Sequence, residues 1–226
     1  MQTPTKLVCW DWNGTIEGRS FGRDLGSGYN GDLRANIADV MAELRVQGYA
    51  NVVTSTIPES SIQFELKRFQ LDGVIDRIFG NARSRNGSSK EYKNSVEAMQ
   101  IPVNEAPARV AVIGDNEHDN PCDLEKVVFI YNPEGFDTDA RIVQQLLYEL
   151  DQRGNGSFYH GFETLKAKDV DLKKECGFSY HGQLALQGAH QGIVLSTFNG
   201  CSWATPTILL IPAKKALQFK QLEEMQ

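Results

Sequence analysis

Two apolar runs in this chain each end in a carboxylate with a glycine close by. Lys6-Leu7-Val8-Cys9-Trp10 leads into Asp11, followed by Asn13, Gly14 and Thr15. About a hundred residues later Val110-Ala111-Val112-Ile113-Gly114 leads into Asp115, with Asp119 shortly after. Two buried strands that stop at an aspartate bring acidic side chains to one edge of a sheet. There they can hold a divalent cation and set one carboxylate beside it to attack phosphorus, which is the apparatus of phosphoryl transfer through an aspartyl-phosphate.

The elements that must position these residues follow from periodicity. Strands are predicted over 6–10, 49–53, 77–79, 110–113 and 127–131, separated by helical patterns over 32–47, 59–70, 88–99 and 138–150. Asp32 is the expected cap of the first helix, and Ser88 or Ser89 of the third. Strands alternating with helices of this length imply an α/β fold with a mostly parallel sheet and helices on both faces. Ligands of such sheets bind beyond the carboxyl ends of the strands, where Asp11, Thr54 and Asp115 all fall. One polar residue closing a strand is ordinary; three on one sheet edge point to a site. A glycine-rich loop over 17–31, carrying Arg19 and Arg23, lies next to that edge and could serve as a small flap.

The character changes after Gly154-Asn155-Gly156. A core domain is expected over 1–153 and a small α+β region over 154–226, with helices near 162–175 and 213–224 and strands near 183–187, 192–198 and 207–211. The aromatics of this region, among them Phe158, Tyr159 and Phe162, read as a small core of its own, and no motif in it selects a role.

Composition narrows the function class. A net charge of −6 argues against a general nucleic-acid binder, which would carry a basic face. No apolar run approaches the roughly 18 residues of a membrane span, and the N-terminus does not read as a secretory signal. Cys9, Cys122, Cys176 and Cys201 are widely spaced and read as free thiols, so a cytoplasmic setting is expected. No GxxxxGK[ST] motif occurs, which removes a P-loop nucleotide-binding protein.

Four segments together resemble the haloacid-dehalogenase (HAD) superfamily of phosphohydrolases over about residues 5–150. Asp11-Trp12-Asn13-Gly14-Thr15 is similar to its first motif, DxDGT, and Gly114-Asp115 through Asp119 to its fourth, GDxxxD. The strand ending at Thr54 is similar to the second motif, and Lys90, at a predicted helix start, to the third, with Lys93 a rival. The resemblance implies a Rossmann-like core, Asp11 as nucleophile and Mg²⁺ as cofactor. It implies Asp11, the Asn13 carbonyl and Asp115 as metal ligands, with Asp119 joining through water or orienting Lys90. Gly14, Thr54, Ser55 and Lys90 would receive the phosphoryl group.

One departure matters. The family's second aspartate of the first motif is Asn13 here, and an amide neither gives nor takes a proton at neutral pH. General acid–base help worth about 10²–10⁴ in rate is therefore missing from that position. The residues leave open substrates with good leaving groups, such as acyl phosphates, a degenerate binding or scaffold protein that keeps a metal and phosphate site, and an Asp exchanged for its amide. The short spacings between motifs leave no room for a large cap, so an open site is expected that takes a phosphorylated substrate, macromolecular ones included.

Overall fold

The computed structural model describes residues 5–18, 32–82, 90–116, 119–121, 123–132, 139–167, 178–186, 190–197 and 207–212. Several expectations fall outside them: Arg19, Arg23 and the rest of the 19–31 loop, Ser88, Ser89, His118, Cys122, Cys176, Cys201 and the 213–224 helix.

Five strands, β1 (Lys6–Trp10), β2 (Tyr49–Thr54), β3 (Arg77–Phe79), β4 (Val110–Gly114) and β5 (Val128–Tyr131), form a parallel sheet in the order β3-β2-β1-β4-β5. Their near-continuous apolar composition suits strands covered on both faces, and the two-residue period of a strand sorts them. Val8, Trp10, Val53, Ala111 and Ile113 enter one core; Leu7, Cys9, Val52, Val110 and Val112 enter the other. The first face is covered by α1 (Ile37–Val46), α2 (Glu59–Arg68), α5 (Ala140–Arg153) and α6 (Phe158–Ala167). The second is covered by α3 (Lys93–Ala98) and α4 (Ala106–Arg109). The fold class is therefore the Rossmann-like α/β arrangement expected.

Three helix starts differ from expectation for local reasons. α1 begins at Ile37 rather than Asp32, because Asn36 takes a left-handed φ of 60° and residues 32–34 are used elsewhere. Gly18 N–H donates to the Asp32 carbonyl at 2.9 Å and Arg34 N–H to the Ile16 carbonyl at 2.9 Å, strapping this segment to the loop after β1. α3 begins at Lys93, since the Asp123 carboxylate takes the N–H groups of Tyr92 and Lys93, each at 2.7 Å. Lys90 thus precedes the helix and is not in its first turn. α6 starts at Phe158, ahead of the expected 162, because Phe158, Phe162 and Leu165 form one buried stripe. That stripe joins the core beneath the parallel sheet. Gly161 lets α6 lie against α5: a Cβ there would sit 1.8 Å from the Leu150 carbonyl oxygen.

Beyond α6 the chain supplies β6 (Phe178–Leu186), β7 (His190–Thr197) and β8 (Thr207–Pro212). β8 pairs antiparallel with β5, β7 with β8 and β6 with β7, so the sheet continues to eight strands. No helix among the described residues is long and apolar enough to cross a membrane.

A buried amide ties the sheet to α1. Asn51 accepts from the Trp10 indole N–H at 3.1 Å and donates to the Met41 and Val74 carbonyls at 2.8 and 3.1 Å. Asn51→Leu removes all three bonds and strands the buried Trp10 indole N–H. A loss of about 2–4 kcal/mol is expected, since each stranded group costs about 1–3 kcal/mol; urea denaturation of the two proteins measures it.

Candidate active site

The strand register alone brings the chemistry together. Trp10 pairs with Val53 on one side and with Ile113 on the other, so Asp11, Thr54 and Gly114 lie level at the carboxyl edge. Asp11 N–H extends the ladder by one bond, donating to the Ile113 carbonyl at 2.9 Å. The chain then turns sharply: the N–H groups of Ile16 and Glu17 both donate to the Trp12 carbonyl at 3.0 Å, and Gly14 N–H donates to the Glu17 carbonyl at 2.8 Å. Gly14 makes the turn feasible. Its φ is +80°, and a Cβ on it would lie 2.2 Å from Asp115 Oδ2, so only glycine fits.

Lys90, carried in by the segment before α3, is buried between two carboxylates. Its Nζ bonds to Asp11 Oδ1 and lies 2.5 Å from Asp119 Oδ1. Asp119 is in turn fixed by the Asn116 N–H, which donates to its Oδ2 at 3.0 Å. Asp115, half-buried, accepts from the Thr15 hydroxyl at 3.3 Å. Asp11, Asp115 and Asp119 each offer a carboxylate oxygen, and these oxygens lie within 4.8 Å of one another. Three carboxylates thus gather around the Lys90 ammonium in a largely buried place, with the buried Arg34 guanidinium also acting on Asp115.

The electrostatics follow. Burial is the largest influence on Asp11, with the Asp119 charge next; Lys90 opposes them, and the carboxyl ends up at about 8. For Lys90, burial alone would lower the pKa, but Asp11 and Asp119 outweigh it and the ammonium is held above its ordinary value. A doubly charged cation with hard oxygen preference fits this donor set in charge and in kind, and it would restore Asp11 to its ionised form.

Thr54 is fully buried, and its hydroxyl has no hydrogen-bond partner among the described residues. Ser55, also buried, turns its Oγ to the Ile57 N–H at 3.4 Å. Lys93 sits on the surface of α3, 3.9 Å from Glu97, away from the carboxylates that Lys90 joins. His160 is exposed on α6.

Asn13 is half-buried and faces a cleft of about 400 Å³ between the loop after β1 and the start of α2. Trp12, Glu17, Ile57, Phe64 and Glu65 also line it. Sequence reasoning missed this cleft and the burial of Glu17, which read as the first residue of the glycine-rich loop. A lone glutamate carries no signal of burial; its partner, the Trp12 indole, could have been found only from the turn geometry.

Strand order thus sets Asp11, Thr54 and Asp115 at the ends of three neighbouring parallel strands, with Lys90 reaching in from the segment before α3. Solved structures similar to this chain include phosphatases and a HAD-superfamily hydrolase. An uncharacterized protein from Listeria monocytogenes serotype 4b matches at 18% identity over 57% of this chain and 80% of its own, with a TM-score of 0.43. D,D-heptose 1,7-bisphosphate phosphatase from B. bronchiseptica, complexed with magnesium and phosphate, matches at 15% identity over 51% and 73%, with a TM-score of 0.40. A HAD-superfamily hydrolase from Ehrlichia chaffeensis matches at 17% identity over 54% and 83%, also at 0.40. No protein-family model matches the chain, and no curated protein does.

Proposed function

We propose that the protein is a Mg²⁺-dependent phosphohydrolase acting through an aspartyl-phosphate on Asp11. The observation that carries this reading is the buried cluster of Asp11, Asp115 and Asp119 around Lys90, at the strand ends beside the unpartnered Thr54 hydroxyl. Asp11, Asp115 and the Asn13 carbonyl would hold the metal, with Asp119 serving through water or through its grip on Lys90. When bound, the cation offsets charge on the phosphoryl oxygens and keeps Asp11 ionised.

The chain's own residues then divide the work. Asp11 attacks phosphorus with the oxygen not committed to Lys90. The Thr54 hydroxyl donates to a phosphoryl oxygen, which gives its buried O–H the partner it lacks among the described residues. Lys90 offsets negative charge and fixes the Asp11 rotamer through its second bond to Asp119. Gly14 lets the turn close on Asp115. The substrate is a phosphorylated molecule handled in a cytoplasmic setting, and the edge site suits a large one as well as a small one.

Asn13 favours a second reading, in which the site binds phosphate-bearing ligands with little turnover, since its amide supplies no proton. Phosphate release from a panel of acyl phosphates, sugar phosphates, nucleotides and phosphopeptides separates the two. Turnover with Mg²⁺ that stops on addition of a chelator and returns with fresh Mg²⁺ is expected. Binding of these ligands without any release of phosphate would favour the second reading.

A further inference from the structure

Lys90, the lysine at the centre of the site, belongs to no helix or strand, so something outside its own element must hold it there. The helix that follows, α3, has only six residues, and its N-cap residue Tyr92 makes no capping bond with its own side chain. So short a helix cannot fix its own start. The restraint comes from a loop 30 residues further along, where Asp123 Oδ2 accepts from the N–H groups of Tyr92 and Lys93, both at 2.7 Å. Asp123 follows β4 in the same segment as Asp115 and Asp119. That segment therefore grips the chain at Lys90 twice. Asp119 Oδ1 takes the ammonium, 2.5 Å away, and Asp123 takes the backbone two and three residues on. Between the two grips stands Tyr92, its ring fully buried in the core with Leu7, Cys9 and Val112. Its hydroxyl is pushed well above its ordinary value by burial and then by the Asp119 and Asp11 charges, so the ring lies close to the cluster that Lys90 joins.

We propose that Asp123 is a positioning residue of the reaction, acting through Lys90: by holding the backbone at Tyr92 and Lys93 it sets where the Lys90 ammonium meets Asp11. The proposal rests on the phosphohydrolase reading. It accounts for the different fates of two lysines three residues apart. The Lys93 N–H is bound to Asp123 and its side chain lies 54% exposed on the surface, while Lys90, on the near side of the same anchor, is 5% exposed and joined to Asp11.

The test reads the position of Lys90 and the chemistry separately. Acetylation of the folded protein by N-hydroxysuccinimidyl acetate, followed site by site by mass spectrometry, reads the position. In wild type, Lys90 should react far more slowly than Lys93. Asp123→Ala removes the acceptor of both N–H groups, so Lys90 should lose its protection and approach the rate of Lys93. Asp123→Asn keeps an oxygen in place but a neutral one, the weaker acceptor, so its Lys90 should react at an intermediate rate. Asn51→Leu loosens the sheet elsewhere and should leave Lys90 protected. Turnover of the phosphate panel in Mg²⁺ reads the chemistry. In Asp123→Ala, kcat and kcat/KM should fall together by about 10²-fold, the loss expected when a group is misplaced by about 1 Å, and Asp123→Asn should recover part of it. Lys90 as protected in both Asp123 variants as in wild type overturns the proposal, and so does protection lost equally in Asn51→Leu. Turnover that falls while Lys90 stays protected overturns it as well. If Asp123→Ala does not fold, Asp123→Asn decides alone, and a Lys90 rate equal to that of wild type overturns the proposal. Wild type that releases no phosphate from the whole panel overturns the hydrolase reading and the role in the reaction with it. The labelling result distinguishes that failure from a failure of Asp123 to hold Lys90.

Discussion

On the proposed mechanism Asp11→Asn is expected to lower phosphate release by on the order of 10³-fold or more, because it would remove the atom that attacks and not a group that assists it. The same substitution stabilises the cation-free protein. Asp11 is buried with Asp119 and Asp115 nearby, and its carboxyl is pushed up to about 8, first by burial and then by Asp119. A carboxyl raised above its unfolded value binds a proton in the folded state that the unfolded chain has already lost. Stability of the cation-free wild type therefore falls as pH rises from about 4 toward about 8. The amide carries no such penalty, so the variant should show a flatter stability profile over that window. Thermal melts of both proteins at pH 5 and pH 8 check this: wild type loses stability between them and Asp11→Asn loses less. Mg²⁺ should raise the wild-type melting temperature more at pH 8 than at pH 5, where a proton competes for the same carboxylate. A variant that keeps turnover would remove Asp11 from the chemistry altogether.

Much of this was legible in the sequence because strands report themselves through burial. The apolar runs ending at Asp11, Thr54 and Asp115 predicted both the strands and the edge they share, since a fully covered parallel strand must be apolar along its length. β3 was found to the residue, Arg77–Phe79. What was not legible depends on contacts between distant segments. Asp32 and the serines before Lys90 are sound caps by composition, but Asp32 is drawn into the strap with Gly18, and α3 is capped from another loop by Asp123. Phe158 read as part of a separate small core, yet it lies 6.1 Å, ring to ring, from Tyr49 at the start of β2. The competing lysines show the same limit. Lys90 and Lys93 are three residues apart, and only the path of the chain before α3 brings one of them to Asp11 while the other stays on the surface near Glu97.

Lys90→Met is expected to cost more stability than any other single change at the site, because it removes the ammonium that joins two of three clustered carboxylates. Its ammonium is 5% exposed and joined to both Asp11 and Asp119. Removing one partner of a buried ionic group typically costs about 3–5 kcal/mol, most of it the energy of the charges left behind. The sign with pH follows from the direction of the shift. Lys90 is held above its ordinary value in the fold, so its contribution is fully present at neutral pH and is lost only as pH rises through that raised value. In the variant the stranded carboxylates recover by taking up protons, so its deficit relative to wild type should shrink as pH falls. Urea unfolding at pH 7.0 and pH 5.0, both far below the ordinary lysine value of about 10.4 so that Lys stays charged, measures the two differences. Mg²⁺ should return part of the lost stability at neutral pH, since it supplies charge to the same oxygens, but not turnover, because nothing then holds the Asp11 rotamer. A variant as stable as wild type would mean that the carboxylates are already neutral in the fold. Their negative charge would then be absent, and with it the physical reason for a divalent cation at this edge.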